Sequence, residues 1–302
     1  MIDYLHRLVR GTKAYLKIAT IRHRTTLRTH KGQTIGVELS QDVEELSLDK
    51  TFEDFEATHD YLHAMLRQLG MDDSVGIDTS SLFNPDAARA LTLSSGGVPR
   101  DFLNIFVDAI AASVHAGKVD RLTPTYIYRA ASSLSYKNKL ANLKEDSGFD
   151  SVALEKLFSD LVMFCLGQKR KTVFLVNHDD VRAFPVENEL LQQLMDFKLI
   201  HLVDANTSAA SGRSGRYAAY TLDFSIFMEP RRRGVDIVEF WRTDGQRRPV
   251  GVRESPDYPL SRAAGAILSG DNLGVEDLLE SLPVDQVPSP GDTSEPESMP
   301  VS

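Results

Sequence analysis

Ser95-Gly96-Gly97-Val98-Pro99-Arg100-Asp101 is the stretch on which the reading of this chain turns. Paired glycines let the backbone bend sharply, and a proline one residue further on suits the first position of a helix, where its missing N–H costs nothing. Apolar residues then recur at helical spacing through Phe102, Phe106, Ile110 and Val114, so the spacing predicts a helix running to about residue 115. Arg100 falls in its first turn, facing a gap, where a guanidinium suits a phosphate. An ordinary solvated arginine at a helix start is the plainer reading of the same spacing.

Working outward, helical spacing dominates residues 53 to 147. Phe55, His59, Leu62, Leu66 and Leu69 mark one helix, Asn84-Pro85 opens a short one, and Thr123-Pro124 opens another that extends toward residue 143. Before this section, an amphipathic stretch with Ile2, Leu5, Leu8 and Val9 precedes a strand-like run over 14 to 21. An arginine-rich connection follows, then a second strand near 35 to 39 or 45 to 48. After it the pattern changes: a helix over 151 to 166, a β-rich run over 172 to 176, a helix over 187 to 197, and strands over 199 to 203 and 217 to 227. The small, polar residues 206 to 216 between those strands read as a hairpin tip. The fold class expected is mainly α with α/β parts.

The 302 residues allow about two domains, and 42% hydrophobic with 25% charged residues is ordinary for a globular protein. Cys165, the single cysteine, lies in the apolar run 161 to 166, which excludes an internal disulfide and makes it a buried small hydrophobe. No apolar run approaches the roughly 20 residues that span a bilayer. The first residues lack the order of a signal peptide. The chain is therefore expected in the cytoplasm and off the membrane.

Taken in order, Tyr15-Leu-Lys-Ile-Ala-Thr20-Ile-Arg22-His-Arg24-Thr, then Glu45-Leu-Ser-Leu48-Asp-Lys-Thr-Phe52, then Gly96-Gly-Val-Pro-Arg100 resembles the later half of an AAA+ ATPase of the origin-recognition or initiator type. The resemblance covers roughly residues 14 to 225. It implies the end of a phosphate-loop-type α/β nucleotide-binding domain over 1–52, a helical lid over 53–147 and a winged-helix domain over 148–228. A basic extension over 229–282 and a disordered acidic tail over 283–302 complete the division. It also implies a polar sensor at Thr20, an arginine finger among Arg22, Arg24 and Arg28, and a second sensor at Arg100. A solvated basic loop is the plainer reading of the first group. The family's phosphate loop, Gly-x-x-x-x-Gly-Lys-Ser/Thr, has no match in the chain. The expectation is therefore a C-terminal portion of a longer ATPase, with Met1 a truncated or mis-assigned start. ATP and Mg²⁺ would be bound only by the full-length form, and the isolated chain would be inactive. A complete protein built from the same parts is the rival.

His59 and His63 stand four apart on one helical face, but the residue after His59 is Asp60 and no third ligand is indicated, so the pair is read as surface or packing and not metal. Nucleic acid is a divided case. The net charge is −9, with Asp285, Asp292, Glu295 and Glu297 contributing from the tail, and the helix over 187 to 197 carries Glu187, Glu189 and Asp196. Against this, Arg213, Arg216, Arg231, Arg232 and Arg233, followed by Arg242, Arg247, Arg248 and Arg253, could grip a DNA backbone without reading sequence. The partners expected are DNA backbone, another copy of the chain, or a missing ATPase half. A non-catalytic winged-helix adaptor for DNA or protein is the alternative from a different class.

Overall fold

The computed structural model describes residues 4, 8–9, 11–14, 16–18, 28–31, 33–36, 50–71, 76, 78–117, 121–146, 150–210, 213–228, 234–245, 248–269 and 274–284. The described part is mainly helical, with a two-stranded hairpin and a three-stranded antiparallel sheet. Strands β1 (Arg28–Lys31) and β2 (Gln33–Gly36) pair antiparallel, Arg28 opposite Gly36. The strand expected over 14 to 21 is not seen at its described positions: Ala14, Leu16, Lys17 and Ile18 are all irregular and exposed. Alternation alone does not make a strand; a partner must supply the ladder, and β1 and β2 supply one to each other.

Five α-helices follow among the described residues. Helix α1 (Phe55–Gly70) starts where the Asp54 carboxylate accepts from the Ala57 N–H at 3.0 Å. Helix α2 (Pro85–Ser95) starts in the same way, the Asn84 side chain accepting from the Ala87 N–H at 2.7 Å. Helix α3 (Pro99–His115) and helix α4 (Pro124–Ala130) both begin at a proline. Helix α4 continues through a π-helical turn, Ala131–Ser135, into α5 (Tyr136–Asp146). Leu62 and Leu66 of α1, Leu91 of α2, Phe102 and Ile105 of α3, and Ile127 of α4 meet in one apolar core. Leu69, expected on the same face, is exposed.

The second core is larger. Helix α6 (Ser151–Val162) runs on as a π-helical turn to Lys169, three residues past the expected end, and stops at Arg170 in the left-handed region. Strand β3 (Val173–Asn177), α7 (His178–Ala183), α8 (Pro185–Asp196), β4 (Ile200–Thr207) and β5 (Tyr217–Leu222) follow. Helix α7 is absent from the sequence reading. It is one short turn capped by the Asn177 side chain, too brief for periodicity to register. The strands lie in the order β3-β5-β4, all antiparallel, so the last strand sits in the middle. β5 ends at Leu222, short of the expected residue 227, because Asp223 caps a turn of 3-10 helix at Phe224–Ile226.

Described residues between 234 and 284, from the stretch read as a basic extension, contribute to this second core. Val238, Phe240, Val252 and Tyr258 are buried in it, with Leu260 and Ala263 from α9 (Leu260–Leu268) and Leu278 and Leu279 from α10 (Val275–Ser281). The outer edge of β3 is covered by the same segment, since the Leu175 N–H donates to Pro256 O and the Tyr258 N–H to Leu175 O, both at 2.8 Å. Phe52, Leu93, Tyr136, Leu140 and Leu143 share this core, so the bundle and the sheet unit are packed together. No helix among the described residues is long and apolar enough to cross a membrane.

Candidate functional site

The Gly96-Gly97 turn is the hinge between α2 and α3 and lies against the sheet unit. Both glycines have positive φ, 60° and 78°. Each is also fixed by its neighbours: a Cβ on Gly96 would sit 2.2 Å from His201 Cε1, and one on Gly97 would sit 2.9 Å from the Lys50 carbonyl oxygen. Conformation and close approach thus both demand glycine here. The turn delivers Arg100 to the first turn of α3 with its side chain 77% exposed, in a loose pair with Asp101 at 3.3 Å. A guanidinium so placed, at the positive end of a 17-residue helix, is free to meet an anion.

Directly beneath the turn lies a buried charge cluster that the sequence reading did not identify. The Asp223 carboxylate is 0% exposed, and its Oδ2 accepts from Lys139 Nζ of α5 and from His201 Nε2 of β4, each at 2.7 Å. Its Oδ1 accepts from the Ser225 N–H at 3.1 Å and from the Ser225 hydroxyl. Burial alone would raise the Asp223 pKa, but the charge of Lys139 and the donation from His201 outweigh it and hold it at about 2. An ionised carboxylate only accepts, so the His201 proton sits on Nε2. Burial pushes His201 below the ordinary histidine value, with Asp223 partly opposing, and the ring is neutral at pH 7. The signal available was an ionisable residue inside each of two apolar runs, His201 and Asp223. Its partner Lys139 is 84 residues from Asp223 along the chain.

His59 and His63 do face one way from α1, and what they face is α2. His59 Nδ1 lies 2.8 Å from Thr92 Oγ1, and His63 Nε2 donates to the Ala88 carbonyl at 3.1 Å. His63 is also edge-on to Phe83 and Phe102. Burial lowers His63 to about 4, the adjacent His59 adding to the effect, and burial lowers His59 too. This is a packing pair, and no group of three metal-ligating side chains occurs among the described residues.

The hairpin between β4 and β5 divides its two arginines. Arg213 Nη2 donates to the carbonyls of Arg253 and Ser255 at 3.2 and 3.0 Å, which ties the tip to the segment covering β3. Arg216 is exposed, with a long bond to the Asn206 carbonyl at 3.4 Å. Arg242, exposed as well, pairs with Glu239 at 2.7 Å. Helix α8 keeps Glu189 at the surface and Glu187 half-buried. Arg28 begins β1. Thr20, Arg22, Arg24, Arg231, Arg232, Arg233 and Arg247 lie outside the described residues, as does the tail from 285. Arg100 pairs on its own helix, while Arg213 and Arg216 bond around the hairpin. Comparison with family models, curated proteins and solved structures finds no match.

Proposed function

We propose that this chain is a helical lid packed on a winged-helix module, a class of protein that grips DNA or a partner. More particularly, we read it as the sensor, lid and winged-helix portion of an initiator-type AAA+ ATPase. The observation that carries the reading is connectivity. One helix (α6), a strand, two helices (α7 and α8) and a hairpin follow one another, and the hairpin's second strand lies between the other two. That is the connection of a winged helix, with α8 in the place of the recognition helix and the β4–β5 hairpin as the wing. The exposed Arg100 at the glycine turn supports the second step, because a lid closing on nucleotide needs a cation at that helix start.

ATP and Mg²⁺ would then be held by the full-length form, with Thr20 as polar sensor and Arg22 or Arg24 as the arginine offered across a subunit interface. The chain lacks the loop whose N–H groups cradle phosphates, so by itself it is expected to have no ATPase activity. Reading the coding sequence upstream of Met1 tests this most cheaply. An in-frame phosphate loop ending in Lys-Ser/Thr supports the ATPase, and a stop codon with no such loop defeats it. Micromolar binding of ATP–Mg²⁺ by this chain in calorimetry would also count against it.

A second reading, a winged-helix adaptor without nucleotide, is favoured by the acidic surface of α8, since Glu187 and Glu189 would repel phosphates. If DNA is bound, the wing and the arginines beyond it must supply the contact. Affinity for unrelated duplexes would then be insensitive to sequence and fall steeply with salt. Fluorescence anisotropy across a salt series decides the point, absence of binding at low salt favouring a protein partner.

A further inference from the structure

We propose that the chain holds a small aromatic acid in a cavity at the junction of the bundle and the sheet unit, with its anionic head on Arg89 and Lys171 and its ring against Trp241. The site is independent of nucleotide and DNA. The cavity measures about 770 Å³, within the range of small-molecule sites and too large for an ordinary packing gap. Both units build it. Helix α2 supplies Arg89 and Leu93 and α4 supplies Tyr128, while Lys171, Phe224 and Trp241 come from the sheet unit. Leu93 and Phe224 are buried and make an apolar floor, and Trp241 is only half-buried. The rings of Phe55, Phe224 and Phe240 stand 6.3, 6.0 and 5.2 Å from the indole and hold it as a fixed aromatic wall.

The charges decide the class of ligand. Asp86, Asp236 and Glu239 line the cavity beside Arg89 and Lys171, so a count alone would make it acidic. Exposure reverses that. Arg89 pairs with Asp86 of the same helix, yet its side chain is 38% exposed and that of Asp86 is 70%. Lys171 is 28% exposed, and its partner Asp236, at 3.7 Å, is 67%. Glu239 is spent on Arg242 at 2.7 Å. The two cations thus sit deeper than the carboxylates, and the pairs they now make are surface pairs of small worth. A carboxylate carried in on an apolar ring would exchange these for charge-assisted hydrogen bonds in a less solvated place. An organic cation would meet the two less exposed positive charges.

Trp241, the single tryptophan, reports occupancy directly. Naphthalene carboxylate, naphthalene methanol and naphthalene methylammonium, one ring with three heads, are titrated into the whole chain and followed by indole fluorescence. The carboxylate should quench saturably and bind about tenfold more tightly than the alcohol, with the ammonium weakest. In the Arg89→Gln/Lys171→Gln variant the advantage of the carboxylate should vanish while binding of the alcohol stays. Absence of saturable quenching, an alcohol or ammonium that binds as well as the acid, or an unchanged acid-to-alcohol ratio in the variant overturns the site. If the variant does not fold, the order of the three heads on the unaltered chain decides.

Discussion

Around Thr92 burial disfavours charge on two imidazoles, while one turn further along the same helix, beneath Gly96, a carboxylate is kept ionised. Both groups are buried, and the difference lies in their partners. His63 meets a carbonyl, two aromatic edges and another imidazole, none of which stabilises a positive charge enough to offset desolvation. Asp223 meets an ammonium, an imidazole N–H and a serine N–H and hydroxyl, all donors. Burial thus sets only the cost of charge; the donor set decides whether the charge is kept. The bundle should therefore respond to acid first and the sheet unit to loss of a partner.

The largest effect expected tests the ionised side. Lys139→Met leaves Asp223 buried without its cation and should cost about 3–5 kcal/mol in urea unfolding. Adding Asp223→Asn should restore part of it, because the pair is coupled. A loss under about 1 kcal/mol from Lys139→Met alone would show that His201 and Ser225 suffice. Next comes Gly96→Ala. A non-glycine residue at φ 60° costs about 1 kcal/mol, and the methyl group's collision with His201 adds about 1–3 kcal/mol of overpacking. Thermal unfolding measures the sum. A much smaller loss would mean that His201 yields.

The neutral side is tested by pH. His63, depressed from 6.5 to about 4, should withdraw about 2 kcal/mol of stability as pH falls through that interval, allowing for its partial solvation. Asp223 should withdraw its share only between about pH 3.8 and 2. Urea midpoints at half-unit pH steps should show two separate declines; a single decline below pH 4 would erase the contrast. Smaller still, Arg213→Ala should cost about 1 kcal/mol, since its two carbonyl partners lose their donor. Arg216→Ala should leave stability unchanged and flatten any DNA salt slope by about 0.9. Arg100→Ala should shift stability by less than about 0.5 kcal/mol.

Much of the local structure was legible. Prolines at 85, 99 and 124 and the glycine pair at 96 and 97 marked starts and a stop, and helical spacing placed Leu62, Leu66, Phe102 and Phe106 inward, because these are consequences of neighbours a few residues apart. The hairpin from Ile200 to Leu222 could likewise be read from its small, polar tip. Where two long-range partners were needed, reading failed. The run over 14 to 21 looked like a strand and is irregular at its described positions, and Arg213 looked like a free cation but is tied to Arg253 and Ser255. Residues after 228 looked like a charged appendage because arginines cluster at 231–233 and 247–248, yet Val238, Phe240 and Tyr258 fill the sheet unit's core.

By itself, then, the sequence determined the main helices of the bundle, their starts at Asn84, Pro99 and Thr123, and the glycine turn, all of which follow from steric and hydrogen-bonding rules acting within a few residues. Only the tertiary structure decided that His201 of β4, Asp223 after β5 and Lys139 of α5 share one buried site against Gly96, and that the two histidines of α1 clasp α2. The physical reason is that a charge or a proton is stabilised by whatever surrounds it in space, and these neighbours are brought together from positions as far as 84 residues apart.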